Sequence, residues 1–387
     1  MDEKETRGPG GGQGKHRAVR SSMPDGMKAA TFGPRLWGLE ILRFSSAFAI
    51  LVLHYPGLCL SPFPELEGRP LVMAPWLEDL LQPFRFGPWA VQVFWILSGY
   101  IFYHQYARRV GDGEVSWRTF FVHRFSRLYP LHLVTLLSVV LLQFLYAAGG
   151  LAGPFKDNNP QNFLLHLGFA SNWWEFERSF NRPVWSVSVE VLVYGLFYLV
   201  VRRFSRSAWP PILLLVPCLW LNQHKSWEGG VVECALFFFA GGLAWGVQEK
   251  VPSRLRLALA TSLLLAVSVC WLAGWMHAPK TLLLLGVTPA IVALAHLPDW
   301  PRPAKIWNQL GHLTYSSYLW HFPFSLLVVY LVRKFGLDPG TLLLSETFIL
   351  FLGSVLILSW FSYRWLEEPS QRWIRSRYLD PTGVIRQ

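Results

Sequence analysis

The sequence predicts an all-α membrane protein, a polytopic bundle of about ten transmembrane helices with both termini in the cytoplasm. Of its 387 residues 52% are hydrophobic and only 15% are charged, which is too apolar for an ordinary soluble domain. The apolar residues form long blocks, and a block of roughly 20 residues can cross the hydrocarbon core of a bilayer as a helix. Most Lys and Arg residues lie in the tails and in every second loop, the pattern typical of cytoplasmic segments. The net charge of +11 therefore reflects membrane topology, and we expect no nucleic-acid partner.

Ten apolar blocks are the predicted helices. They lie at about residues 36–58, 86–106, 128–149, 184–201, 208–222, 230–248, 257–276, 281–298, 310–332 and 341–363. Residues 1–35 are Gly-rich and basic with no apolar core, so we expect a disordered cytoplasmic tail rather than a signal peptide. Residues 36–366 form the predicted membrane domain, and residues 367–387 a short cytoplasmic tail.

The first block contains an arginine and a histidine, Arg43 and His54. Ionisable side chains inside a bilayer are costly, so they indicate a functional site and require partners. The two residues are about three helical turns apart and lie on nearly the same helix face. Glu190, in the fourth block, is expected at a depth similar to that of His54. A carboxylate beside a neutral imidazole is typical of a general base acting on a hydroxyl; equally, Glu190 could form a structural ion pair with Arg43.

Two arginines one turn apart, Arg124 and Arg127, precede the third block. Guanidinium groups bind phosphates in a bidentate manner, so this pair predicts a cytoplasmic, phosphate-bearing cosubstrate. The alternative is an ordinary cytoplasmic basic loop that contacts lipid headgroups.

Several polar side chains interrupt the other blocks and are candidates for substrate binding. His321 is also a candidate for a structural hydrogen bond. Asn172 lies in the segment 150–183, which we interpret either as a lid or acceptor platform or as an interfacial aromatic loop. The candidate substrate-binding residues are Ser98, Trp185, Ser186, Tyr194, His321 and Asn172. No nucleophile elbow, nucleotide-binding Gly loop or metal-type His/Cys cluster appears, so we expect no metal.

Six short motifs occur in order along residues 36–370. They are Arg43 with His54, Phe94-Trp-Ile-Leu-Ser-Gly-Tyr, Arg124-x-x-Arg127-Leu-Tyr-Pro, Pro183-Val-Trp-Ser-Val-Ser-Val-Glu190 with Tyr194, Tyr318-Leu-Trp-His321 with Pro323, and Tyr363-Arg-Trp-Leu-Glu-Glu-Pro369. Each motif is weak by itself, but together they resemble the membrane-bound acyltransferase-3 family, which O-acylates sugars and other hydroxyl compounds.

The resemblance implies an O-acyltransferase of the cell membrane. The donor would be an acyl-coenzyme A, most often acetyl-coenzyme A, bound from the cytoplasm by Arg124 and Arg127. Arg43 and His54 would match the pair essential to transfer, with Glu190 as the family's acidic residue. The acceptor would be a carbohydrate or another hydroxyl-bearing compound, reached by direct transfer or through an acyl-enzyme.

Some members of this family carry a C-terminal extracytoplasmic esterase-like domain. The sequence continues only about 20 residues beyond Pro369, so we expect transfer by the membrane domain alone or with a separate extracytoplasmic partner protein. Two other classes of function remain open from the residues themselves. One is a transporter or flippase for a lipid-linked sugar or a small metabolite, and the other is a sensor or scaffold.

Overall fold

The described part of the chain is helical. The computed structural model describes residues 36–174, 179–204, 214–220, 230–252, 279–295, 297 and 300–379, and scattered positions between 255 and 269. These residues form no β-strand, and Val72 and Leu344 make an isolated parallel bridge. The predicted tail 1–35 lies outside the described residues, as does most of the two blocks at 208–222 and 257–276.

Eleven helices are named here in chain order. They are α1 (Trp37–Tyr55), α2 (Pro75–Leu81), α3 (Ala90–Gly111), α4 (Trp117–Ala148), α5 (Pro160–Leu167), α6 (Val184–Phe204), α7 (Val231–Lys250), α8 (Pro279–Ala295), α9 (Pro301–Lys334), α10 (Ser345–Ser362) and α11 (Glu368–Tyr378). Two π-helical turns, Pro56–Leu60 and Tyr363–Glu367, follow α1 and join α10 to α11.

Among the described residues, five helices are long and apolar enough to cross a membrane. These spans are Trp37–Leu60, Trp117–Ala148, Val184–Phe204, Val231–Lys250 and Ser345–Tyr378. Helices α3 and α9 are long as well, but their side chains are more polar on average. The prediction of a helical membrane protein is confirmed. Helix α4 begins at Trp117, well before the predicted block, so the arginine pair lies inside a helix.

Glycines allow α3 and α7 to pack closely. A Cβ added at Gly99 of α3 would collide with the backbone of Phe238, and one at Gly241 of α7 with the backbone of Ile96. Small residues commonly allow such close approach between membrane helices. Helix α1 packs in a similar lengthwise manner along α9. These two pairs bring α1, α3 and α9 around one interior space.

Prolines inside the helices free backbone carbonyls, and side chains from other segments bind them. Pro323 in α9 cannot donate to the carbonyl of Leu319, four residues earlier. Asn181 Nδ2, from the connection between α4 and α6, donates to that carbonyl at 3.2 Å. A freed backbone group inside a bilayer must be satisfied by protein, and this hydrogen bond ties the connection to α9.

The connection between α4 and α6 is held by neutral hydrogen bonds. Asn159 caps α5, its side chain accepting from the N–H of Asn162 at 2.9 Å. Asn158 donates to Gln143 of α4 at 3.0 Å and accepts from the N–H of Phe180 at 2.6 Å. These bonds hold the segment in shape and fix it to α4.

Candidate active site

A cavity of about 360 Å³ lies between α1, α3, α4, α6 and α9, with α11 at its edge. Seven of the predicted site residues line it, and they come from four different helices. They are Arg43, Ser98, Arg124, Arg127, Ser186, Glu190 and Tyr194. The structure therefore brings most of the predicted set into one space.

Arg43 has a partner that the sequence reading missed. Its Nη1 lies 3.1 Å from Oε1 and 2.8 Å from Oε2 of Glu40, one helical turn earlier in α1. Glu40 is buried and stands in the first turn of α1, where the helix dipole favours an acidic group. Gly311 of α9 lies directly against the Glu40 carboxylate, where a Cβ would not fit. The predicted alternative of an Arg43–Glu190 ion pair is replaced by this local pair.

Glu190 lies in the same cavity, beside Ser98 and Tyr194. Its Oε1 is buried and has no hydrogen-bond partner. Arg43 and Arg124 are close enough to stabilise the carboxylate electrostatically. The carboxylate therefore balances part of the positive charge of the cavity.

Arg124 is held on one side by aromatic rings. Its Nη2 donates to the hydroxyl of Tyr106 at 2.7 Å, and its guanidinium lies 4.7 Å from the ring centroid of Phe102 and 5.1 Å from that of Tyr106. Such stacking stabilises a cation without neutralising it. Its Nε is buried without a hydrogen bond, and no described carboxylate lies within ion-pair distance of the group.

Arg127, in contrast, is paired with a buried carboxylate. Its Nη1 lies 3.1 Å from Oε2 of Glu367, which also accepts a hydrogen bond from Ser316. Glu367 ends the π-helical turn Tyr363–Glu367 and is 1% exposed. Rare π-turns often occur at functional positions. A fourth arginine, Arg375 of α11, also lines the cavity and donates from Nε to Ser126 at 3.1 Å.

Two histidines contact each other outside this cavity. Nδ1 of His54 lies 3.0 Å from Nε2 of His321, and the ring centroids are 5.2 Å apart. Nε2 of His54 hydrogen-bonds to none of the described residues. The nearest link to the cavity is Tyr318, which lines it and whose ring centroid is 5.9 Å from that of His321. The histidines therefore form a pair one helical turn beyond the cavity wall.

The partner of His54 differs from the prediction. We expected Glu190 beside the imidazole, but its carboxylate lies with Ser98 and Arg124, at the level of Arg43. The edges of apolar blocks do not determine how far one helix is shifted along another, so the depth estimate was wrong. The predicted structural hydrogen bond of His321 is present, and its partner is His54.

The other predicted residues have identifiable contacts. The Ser186 hydroxyl lies 2.7 Å from that of Tyr318 on the cavity wall. Trp185 packs edge-on against Trp95 at 5.7 Å between ring centroids and does not line the cavity. Asn172 is buried, and its N–H donates to the hydroxyl of Ser188 at 3.2 Å, which ties the α4–α6 connection to α6.

The sequence reading missed four residues of the site. Glu40 and Arg375 had no motif signal of their own, and Tyr318 stood in a quoted motif but was not among the predicted site residues. Glu367 stood in a quoted motif, but nothing in the sequence indicated a π-turn that directs it inward. Within the described ranges, no cluster of three or more His, Cys, Asp or Glu residues could hold a metal ion.

Comparison with known proteins identifies the family. Residues 36–364 match the family model described as an acyltransferase domain, which covers most of the chain. The chain belongs to the acyltransferase-3 family. With its apolar helices, the chain is thus a membrane protein of an acyltransferase family.

Two curated relatives are similar to parts of the chain. "Putative peptidoglycan O-acetyltransferase YrhL" from Bacillus subtilis (strain 168) is 26% identical over 288 residues, 60% of this chain and 43% of the relative. "Acyltransferase MdmB" from Streptomyces mycarofaciens is 34% identical over 138 residues, 34% of this chain and 33% of the relative. Each match covers less than half of the relative's length. No solved structure matches the chain.

Proposed function

We propose that the protein is an integral membrane O-acyltransferase, which moves an acyl group, in the first place acetyl, from acyl-coenzyme A to a hydroxyl. One observation carries this proposal: a cavity with the Arg124 guanidinium, which forms no ion pair with a described carboxylate, lies next to a hydrogen-bonded histidine pair. Such an arrangement provides an anion site and a proton acceptor within reach of each other. The name of one relative, a putative peptidoglycan O-acetyltransferase, favours a carbohydrate acceptor.

The proposed topology has about ten helices and cytoplasmic termini. Residues 36–366 are the membrane domain, residues 1–35 a basic tail and residues 367–387 a C-terminal cytoplasmic segment. The excess of Lys and Arg in alternate loops supports this orientation in the cell membrane. Since Arg124 stands near the start of α4 and Arg43 in the first half of α1, the cavity would then open toward the cytoplasm, where acyl-coenzyme A is found.

The arginines have unequal roles in our proposal. Arg127 already has the carboxylate of Glu367, whereas Arg124 keeps its charge available for a phosphate. Arg375, also on the cavity wall, would add a third contact. The acyl thioester would then extend past Ser186 and Tyr318 toward the histidines.

His54 is the proposed general base. Its Nδ1–H would donate to Nε2 of His321, which leaves the lone pair on Nε2 of His54 free to take a proton. That proton comes from the acceptor hydroxyl, whose oxygen attacks the thioester carbonyl. The carbon–sulfur bond breaks, and the proton passes to the departing thiolate of coenzyme A. His321 is a positioning residue in this scheme, a role that we first assigned to Glu190.

The experiment measures transfer of label from radiolabelled acetyl-coenzyme A to N-acetylmuramic acid by purified protein. We expect His54→Gln to lower kcat by roughly 10²- to 10⁴-fold, the range for loss of a general base. His321→Asn should lower kcat by a smaller factor, with the KM for acetyl-coenzyme A unchanged and the pH profile shifted.

Tyr55→Phe is the matched control. Tyr55 is the buried neighbour of His54, and it hydrogen-bonds the carbonyl of Leu342 at 2.8 Å rather than the histidine pair. This variant should keep its turnover. Normal turnover of His54→Gln would refute the proposed base. Movement of labelled saccharide into liposomes without acyl transfer would identify a transporter or flippase instead.

A further inference from the structure

A second cavity, of about 340 Å³, lies at the opposite end of the helices that form the first. Its volume is in the range of small-molecule sites, roughly 300–1,000 Å³. The π-turn after α1, the second halves of α4 and α9, and the segment that follows α4 all contribute to it. Its polar lining includes Ser61, Tyr146, Arg182, Ser325 and Arg333.

The histidine pair lies between the two cavities along the helices. Helix α1 contributes Arg43 to the first cavity, and the π-turn after it contributes Leu58 to the second. Helix α9 contributes Tyr318 to the first and Ser325 to the second. His54 is one helical turn before Leu58, and His321 stands one turn after Tyr318 and one before Ser325. A molecule in the second cavity would therefore approach the pair from the side opposite to the first cavity.

The second cavity contains one arginine, Arg333, that forms no ion pair with a described carboxylate. The Arg333 guanidinium donates to the carbonyls of Pro62 and Ala152 and lies 5.2 Å from the ring centroid of Phe63. Carbonyls and a ring hold a guanidinium in place but do not neutralise it, and Arg333 forms no ion pair with any carboxylate of the described residues. Arg182 also lines this cavity, where it donates to the carbonyl of Pro154 at 3.4 Å and lies 5.6 Å from the ring centroid of Phe322, the neighbour of His321.

We infer that this second cavity binds the acceptor, and that the acceptor is a saccharide with an anionic group. Its carboxylate or phosphate would contact Arg333, and its hydroxyl would then point toward Nε2 of His54. This assignment rests on the proposed acyltransferase function. It adds that the acceptor carries an anionic group, which family membership does not supply.

Direct binding tests this inference separately from catalysis. Purified His54→Gln protein, in which the proposed base is absent, is titrated calorimetrically with three probes: N-acetylmuramic acid, N-acetylglucosamine 1-phosphate and neutral N-acetylglucosamine. We expect at least one anionic probe to bind more tightly than the neutral one. The carboxylate and phosphate probes show which anion the site prefers.

A second substitution locates the site. Adding Arg333→Gln should weaken binding of the preferred anionic probe by roughly tenfold, because one charge-assisted contact is lost, and should leave the neutral probe unaffected. Arg333→Lys keeps the charge and should recover most of the affinity, which controls for misfolding. Arg85→Gln is the matched control, because Arg85 pairs with Glu78 at 3.0 Å and does not line the cavity.

Turnover by protein with an intact His54 completes the test. Arg333→Gln should raise the KM for the anionic acceptor by the same factor as it weakens binding, roughly tenfold. The KM for acetyl-coenzyme A should be unchanged. Equal affinity for charged and neutral probes, absence of binding by all three, or an effect of Arg85→Gln equal to that of Arg333→Gln would overturn the inference. Failure of all transfer alongside charge-dependent binding would instead refute the acyltransferase proposal and retain the anion site.

Discussion

The two ends of the helix bundle stabilise buried polar groups in different ways. The first cavity uses charges: Arg43 pairs with Glu40 and Arg127 with Glu367. The connection between α4 and α6, at the other end, uses amides, hydroxyls and histidines. For example, Asn181 donates a hydrogen bond to the carbonyl of Leu319, and His166 hydrogen-bonds to the hydroxyl of Ser179. Among such charged groups, a cation without an ion pair, here Arg124, can attract an anionic ligand. Neutral hydrogen bonds hold the shape of a segment but do not attract charge. The comparison therefore separates the first cavity, held by charged pairs, from the connection between α4 and α6, which is held by neutral hydrogen bonds and borders the second cavity.

Ion pairs in the first cavity should contribute more to stability than any polar contact at the other end. Glu367→Gln would leave the Arg127 guanidinium without its buried carboxylate, which costs about 3 kcal/mol of unfolding free energy. The measurement is thermal or denaturant unfolding of the purified protein in detergent. This is the largest effect that we expect from the comparison.

The next residue in the chain provides a matched control. Glu368 pairs with Arg364 and Arg372 at the surface, and its side chain is 25% exposed. Glu368→Gln should therefore cost at most about 1 kcal/mol. The double variant Arg127→Met/Glu367→Gln should recover much of the loss, because no unpaired charge remains. If Glu367→Gln and Glu368→Gln unfold alike, the buried pair is not what stabilises this end.

The same comparison predicts that Arg124, the cation without a carboxylate, acts on the ligand more than on stability. Arg124→Ala should raise the KM for acetyl-coenzyme A with little change in kcat. The expected loss of binding free energy for acetyl-coenzyme A is about 2 kcal/mol, the value of a hydrogen bond to a charged group. S-acetylpantetheine, which lacks all phosphates, should be used equally well by the variant and by the unsubstituted protein.

Arg118 of α4 is exposed and does not line the cavity, so Arg118→Ala is the control on the same helix. An equal loss with S-acetylpantetheine would show that Arg124 shapes the cavity rather than binding phosphate. If Arg124→Ala uses acetyl-coenzyme A as well as the unsubstituted protein does, Arg124 is not part of the donor site.

The sequence predicted the helical membrane fold because apolar block length follows directly from bilayer thickness. The residues that it grouped within single helices, Arg124 with Arg127 and Ser186 with Glu190 and Tyr194, line the first cavity together. Spacing within a helix is readable from a sequence, but the axial shift between two helices is not. For this reason His54 was assigned to Glu190, whereas its imidazole contacts His321.

Glu367 shows a second limit of the sequence reading. From the sequence, Glu367 lies just beyond the last apolar block and is predicted to begin the solvated C-terminal tail. The π-turn Tyr363–Glu367 instead directs it inward to Arg127 and Ser316. A π-turn depends on the contacts of its side chains with other helices, and no local residue pattern here indicates one.

The neutral end should respond to acid, and His166 provides the test. Burial, with a smaller effect from His132, lowers the pKa of His166 from 6.5 to about 3, and its Nε2 lies 3.1 Å from the Ser179 hydroxyl. A histidine with a lowered pKa in the folded state takes up its proton more readily when unfolded. The contribution of neutral, buried His166 to the free energy of unfolding is therefore complete above about pH 6.5. It decreases by about 1.4 kcal/mol per pH unit as the pH falls toward 3.

The measurement compares unfolding of the unsubstituted protein and of His166→Gln at pH 7.5 and pH 5.5. Glutamine stays neutral and can still hydrogen-bond Ser179, so the variant should lose about 1.4 kcal/mol less over this interval. His132 is present in both proteins, and its own titration affects both alike. Identical losses would mean that His166 is protonated without cost, and that the segment is held less tightly than its hydrogen bonds indicate. A smaller loss in the variant would establish that this end of the bundle owes its shape to neutral groups, in contrast to the charged first cavity.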